Sequence, residues 1–163
     1  MEMIRTETAL ESRIWDVLHT VEDPELPISV TDLGMIDAVD VADGHVRITL
    51  VPTFSACPAI EVMREDIRRR LRELPEVQDV QVDLSFARPW TIARMSERGR
   101  QRLVAHGMAV PAARPPARPV ACPFCGSTNT TLENSFGPTL CRAIYYCNDC
   151  RNPIEQFKPP HDS

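Results

Sequence analysis

Apolar residues at Leu10, Ile14, Val17, Leu18 and Val21 recur at the spacing of one helix face, which predicts a helix from Thr8 to Val21; Thr8 and Glu11 stand at capping-box separation. Val39 and Val41 then flank Asp40, and Val46, Ile48 and Leu50 alternate with Arg47 and Thr49. With Asp43-Gly44 between them as a turn signal, these runs predict two antiparallel strands. Pro58 suits the first position of a helix, and Ile60, Met63, Ile67, Leu71 and Leu74 give it an apolar face, with Arg68, Arg69, Arg70 and Arg72 turned outward. A further strand is predicted from Val77 to Phe86, with Val80, Val82, Leu84 and Phe86 on one face and Asp79, Gln81, Asp83 and Ser85 on the other. Ser96 can cap a last helix that ends at Gly107. The order α-β-β-α-β-α predicts a small α+β fold with its helices on one face of the sheet.

The alternation stops after residue 107. Prolines at 111, 115, 116 and 119 deny the segment helix and sheet and favour extended geometry. The expected organisation is therefore a domain over 1–107, a Pro-rich linker over 108–120, a second domain over 121–158 and a tail over 159–163. At 163 residues and 43% apolar content, two small units fit the chain.

The second unit is defined by its cysteines. Cys122-Pro-Phe-Cys125 and Cys147-Asn-Asp-Cys150 are two C-x-x-C pairs with twenty-one residues between them, close to zinc-ribbon spacing. Each pair turns both sulfurs to one side of a tight loop, and two such turns make a tetrahedral S₄ site, predicting a C-terminal β ribbon. Gly126 supplies the positive φ such a knuckle needs. Two disulfides are the alternative, disfavoured because nothing in the chain looks secreted. Zinc is the expected ion, although S₄ donors also accept iron. The sixth thiol, Cys141, can be a packing residue, a redox partner or a substitute ligand.

The formal net charge of −5 conceals an asymmetry, since residues 88–118 hold seven arginines against the single acid Glu97. With Trp90 the one aromatic among them, a solvated helix face plus linker is a better reading than a nucleic-acid surface. No long apolar stretch or leader-like start is seen, so a cytoplasmic protein with no membrane contact is expected. In that compartment cysteines serve as ligands or reactive thiols rather than crosslinks.

Cys57, directly before Pro58, lies at or next to a helix start, where free amides and the helix dipole favour a thiolate; its bland alternative is a small buried hydrophobe. It ends the polar turn Thr53-Phe-Ser-Ala-Cys57, and Asp23-Pro-Glu25-Leu-Pro27 is a second turn, stiffened by prolines, that can hold carboxylates near a thiol or metal. His19 on the first helix, His45 in the hairpin turn, His106 at a helix end and His161 in the tail form no base-and-nucleophile pattern. There is no Gly-rich phosphate loop and no Glu-x-x-His pair of a di-iron oxygenase. Whether the chain turns over any substrate is left open, and no catalytic activity of its own is the expectation.

Asp23-Pro-Glu25-Leu-Pro27, Asp32-Leu-Gly34 and Thr53-x-x-x-Cys57-Pro58 together resemble the MIP18 family, the former domain of unknown function 59, over residues 8 to about 86. The segment from Trp90 through Ser96, the linker, the cysteine pairs and Phe157-Lys158 are similar to one branch of it, the D-type or J-type subunits of bacterial phenylacetyl-CoA oxygenase (ring 1,2-epoxidase) systems. Ser85-Phe-Ala-Arg-Pro-Trp90 departs from that branch's usual approach to the tryptophan, and Ser55-Ala56 stands where many relatives have Gly before the Cys. The resemblance implies that Asp23, Glu25, Asp32, Thr53 and Cys57 share a pocket, with Cys57 as the reactive thiol and Cys57 and Glu25 as transient holders of iron or an iron-sulfur cluster. It implies an accessory role in cluster assembly or delivery to the epoxidase in phenylacetate degradation, with oxygenase components, above all the cluster-containing reductase, and iron-sulfur assembly proteins as partners. A stoichiometric structural or coupling subunit, a nucleic-acid-binding ribbon and a homodimer are the alternatives.

Overall fold

A computed structural model describes residues 2–53, 57–110, 120–135, 137–138 and 142–157, with side chains from residue 9 onward. The expected roles of the Thr8 side chain, Cys141, most of the Pro-rich segment and the tail lie outside the described residues. Within them the chain runs α1 (Glu2–Leu18), β1 (Ile36–Ala42), β2 (His45–Leu50), α2 (Ala59–Leu71), β3 (Asp79–Leu84), a 3-10 turn (Ile92–Arg94), α3 (Glu97–Ala105), β4 (Met108–Ala109), β5 (Thr130–Asn134), β6 (Arg142–Cys147) and β7 (Pro153–Phe157). The predicted order of helices and strands is observed. Among the described residues no helix is long and apolar enough to cross a membrane.

The chain divides into two compact units, residues 1–52 with 58–89, and residues 53–57 with 90–163. In the first, β1 and β2 form the expected hairpin, turning at Asp43 (φ 49) and Gly44 (φ 79). A Cβ on Gly44 would lie 2.8 Å from the Glu76 carbonyl oxygen, so both backbone angle and space require glycine there. β3 pairs parallel with β2, from His45 opposite Asp79 to Leu50 opposite Leu84, and α2 makes the crossover that parallel pairing demands. Val46, Ile48, Leu50, Val80 and Val82 are buried on one face of the sheet, and the α2 residues Ile60, Met63, Ile67 and Leu71 are buried with them. Arg64 of α2 donates from Nε and Nη2 to the Val82 carbonyl, which occupies an acceptor on the outer edge of β3.

Local expectations shift in three places. Helix α1 starts at Glu2 and ends at Leu18 rather than running from Thr8 to Val21. Pro58 is the N-cap of α2 rather than its first helical residue. Phe86, placed on the buried face of the third strand, is 61% exposed, because the strand ends at Leu84.

The second unit is a four-stranded sheet in the order β4-β7-β6-β5. Met108 and Ala109, expected in the linker, pair parallel with Glu155 and Gln156. Trp90, expected in the first domain, is 1% exposed, and its ring meets that of Phe157 edge-on at 5.2 Å between centroids and 67°. Trp90 thus pairs with a ring of β7, and the division into compact units places it with the second. Ser96 does cap α3, accepting from the Gly99 N–H at 3.0 Å, and Gly107 (φ 80) follows the helix as expected.

Candidate functional site

The two cysteine turns are built alike. In the first, the Gly126 N–H donates to the Cys122 carbonyl at 2.8 Å and the Cys122 N–H to the Ser127 carbonyl at 2.8 Å. In the second, Arg151 N–H donates to the Cys147 carbonyl at 2.9 Å and Cys147 N–H to the Asn152 carbonyl at 3.0 Å. The residue after each pair is left-handed, Gly126 at φ 76 and Arg151 at φ 60, so the second knuckle tolerates in a non-glycine residue what the first assigns to glycine.

The turns face each other. Cys122 and Cys150 sulfurs are 3.6 Å apart, as are Cys125 and Cys147, and all four lie within 4.8 Å of one another. A zinc–sulfur bond of about 2.3 Å gives a tetrahedron with edges of about 3.8 Å, so the four donors fit the ion. Sulfurs at 3.6 Å are not disulfide-bonded, for which about 2.05 Å is required. The predicted set Cys122, Cys125, Cys147 and Cys150 is the one the structure brings together. Cys122 and Cys147 are buried with Ala109, Val120 and Ile154, whereas Cys125 is exposed and Cys150 half-buried.

A polar latch ties the knuckles. Asp149 accepts from the Ser127 hydroxyl and, at 2.9 Å, from the Asn129 amide, and these two bonds hold its carboxyl below the usual carboxylate range. Asn148 donates to Asn129 and to the Thr131 hydroxyl. The Asn152 side-chain amide donates to the Cys150 sulfur at 3.4 Å and, with the Asn152 backbone, draws that thiol down to about 6. At Cys125 the Ser127 backbone N–H lowers the pKa, but lost hydration and protons shared with the other three cysteines prevail and push it up to about 12. An ion of charge +2 replaces these protons and makes all four sulfurs thiolates.

The carboxylate motifs occupy two successive turns of the first unit. Asp23 Oδ1 accepts from the Glu25 N–H at 2.7 Å, and Leu26 N–H donates to the Asp23 carbonyl, with Pro24 at the second turn position that its fixed φ favours. Asp23 is half-buried and Glu25 exposed, while Leu26, Ile28 and Val30 anchor the loop in the core. Ser29 then caps a helical turn, its hydroxyl accepting from the Asp32 N–H at 3.2 Å; Leu33 is buried, and Gly34 (φ 71) ends the turn. Asp32 is 5% exposed and its Oδ2 accepts from Ser29.

Thr53 is buried and Cys57 half-buried, and both belong to the second unit, unlike the three carboxylates. Pro52, which cannot donate to a ladder, stands where the chain leaves the first sheet. Ser55 and Ala56 lie outside the described residues. Among the histidines, His19 sits one residue past α1, His45 begins β2 and His106 is the C-cap of α3. Sequence reasoning missed the knuckle latch and the partnership of His19 with Thr31 at 2.6 Å; neither carries a spacing signature.

Residues 11–84 match the family model described as "Iron-sulfur cluster assembly protein", and residues 109–158 match the "PaaD zinc beta ribbon domain". The chain is 39% identical over 153 residues to a protein of Escherichia coli (strain K12) named as the D-type subunit of a "Putative 1,2-phenylacetyl-CoA epoxidase", covering 89% of this chain and 90% of that one. It is 43% identical over 88 residues to an "Fe-S protein maturation auxiliary factor" of Porphyromonas gingivalis (strain ATCC BAA-308 / W83), covering 53% of this chain and 84% of the relative. Among solved structures, the domain of unknown function DUF59 from Bacillus anthracis is similar at 27% identity and a TM-score of 0.58, covering 61% of this chain and 96% of that one. A first unit that matches the cluster-assembly model, a four-cysteine zinc ribbon after it, and a relative matched along nearly its whole length place the chain in the family of the D-type subunits of 1,2-phenylacetyl-CoA epoxidase.

Proposed function

We propose that the protein assembles or delivers the iron-sulfur cluster of a phenylacetyl-CoA epoxidase system, with the cluster-containing reductase as its client. The observation that carries this reading is the joining, in one chain, of a cluster-assembly domain to the ribbon found in a relative that bears an epoxidase-subunit name. In this reading Cys57 is the working thiol. It is partly accessible and directly precedes Pro58, the N-cap of α2, where the helix dipole favours a thiolate. Asp23, Glu25, Asp32 and Thr53 are its proposed supporting residues, and Cys57 and Glu25 the proposed holders of iron or a cluster in transit as cargo. The transfer is a ligand exchange between thiolates and needs no oxidant or reductant. The zinc ribbon supplies a rigid docking module for oxygenase or iron-sulfur assembly partners.

Complementation tests the reading. In cells lacking the protein, the wild type should restore phenylacetyl-CoA epoxidation in extracts and Cys57→Ala should not, although the purified variant keeps its circular dichroism and zinc. Undiminished epoxidation in cells without the protein would refute it. The name of the Escherichia coli relative favours a second reading, a stoichiometric component of the epoxidase, which predicts equimolar co-purification with the oxygenase and indifference to Cys57→Ala.

A further inference from the structure

Within the first unit, a file of hydrogen bonds runs from an exposed imidazole to a buried carboxylate. His19 Nδ1 is 2.6 Å from Thr31 Oγ1, Thr31 Oγ1 is 2.8 Å from Ser29 Oγ, and Ser29 Oγ is 3.2 Å from Asp32 Oδ2. Each hydroxyl has one proton to give, so the direction of the file can be counted out. Ser29 spends its proton on the Asp32 carboxylate and takes the Asp32 backbone N–H as an acceptor. Thr31 must then donate to Ser29, and His19 must donate to Thr31 through Nδ1. In the opposite direction, with the imidazole as the final acceptor, Ser29 would give its one proton to Thr31 and have none for Asp32 Oδ2, to which it donates.

We infer that His19 is a positioning residue for Asp32: its neutral ring is held as the Nδ1–H tautomer and heads a one-way donor chain, through Thr31 and Ser29, that fixes the buried carboxylate. The imidazolium also carries a proton on Nδ1, so the chain keeps its direction whether or not His19 is charged. The neutral form leaves Nε2 as the ring's unprotonated nitrogen. Three side chains that no motif marks are thereby committed to orienting one carboxylate of the Asp-Leu-Gly turn. The use of that carboxylate in cluster handling rests on the function proposed above, whereas the donor chain stands apart from it.

Long-range ¹⁵N–¹H correlations of the full-length protein, at a pH where the ring is neutral, read the tautomer directly. The wild type should show the proton on Nδ1. Thr31→Val, which removes the acceptor, should move it to Nε2, and Thr31→Ser should restore it to Nδ1. A wild-type ring protonated on Nε2, or a Thr31→Val ring still protonated on Nδ1, would overturn the chain. In cells, His19→Asn keeps a donor near the Nδ1 position and should leave the reductase's iron content within twofold of normal, whereas His19→Leu should lower it severalfold. Equal content in both variants, in cells where Cys57→Ala depletes the reductase, would overturn the positioning role and spare the proposed function. Full content with Cys57→Ala as well would remove the proposed function and this use of Asp32 with it, leaving the tautomer result to decide the chain.

Discussion

Trp90→Ala should weaken the second unit's hold on zinc. The indole is 1% exposed and edge-on to Phe157, which is equally buried, at the opposite end of the unit's sequence. Truncating a core tryptophan to alanine costs about 3–5 kcal/mol, of which about 0.5–1.5 belongs to the ring pair itself. In a small metal-dependent unit the free energy of metal binding is also folding free energy, so packing lost here is lost from zinc affinity. At about 1.4 kcal/mol per factor of ten, the apparent affinity should fall by about 10² to 10³-fold or more. Competition against a colorimetric zinc chelator measures this, with Trp90→Phe as the control that keeps a ring and most of the affinity. Trp15, the second tryptophan and a resident of α1, reports the first unit by fluorescence during the same titration. A Trp90→Ala protein that held zinc within about threefold of wild type would refute the assignment of Trp90 to the ribbon's folding unit.

The two knuckles make a paired prediction: Arg151→Gly should raise apparent zinc affinity and Gly126→Ala should lower it, because a left-handed residue with a Cβ costs about 1–2 kcal/mol and no atom crowds the Gly126 site. Chelator competition showing the same sign for both would contradict the shared geometry. Gly44→Ala should destabilise the first unit by about 2–3 kcal/mol, since the new Cβ meets the Glu76 carbonyl at a positive φ; urea unfolding followed at Trp15 checks it. The depressed carboxyl of Asp149 contributes stability above the unfolded Asp value of about 3.9, lost as pH falls through the lower folded value. The zinc-affinity gap between wild type and Asp149→Asn should therefore be widest near neutrality and close on acidification; a gap that widens in acid would contradict it.

Much of the first unit was legible because its signals are local: alternation for β1 and β2, a 3.6-residue period for α2, and a turn dipeptide at Asp43-Gly44 whose left-handed angles leave few other residues. The S₄ site was legible for the same reason, since each C-x-x-C knuckle is closed by its own backbone. The parallel seat of β3 beside β2 was not, because a strand's alternation is the same whichever neighbour it takes. The pairing of Trp90 with Phe157 was not, since the two are 67 residues apart, and a two-residue strand such as β4 has no period to detect. Asp32 was recognised by its motif alone; the Ser29 cap and the His19–Thr31 bond that orient it exist only once the turns stack.

The iron and acid-labile sulfide content of the epoxidase reductase, purified from cells carrying the wild-type protein, no protein, or Cys57→Ala, tests the central claim most directly. Cluster delivery through Cys57 predicts a full complement in the first and a depleted reductase in the other two, with reductase polypeptide at equal abundance in all three. A full cluster complement in all three would contradict it.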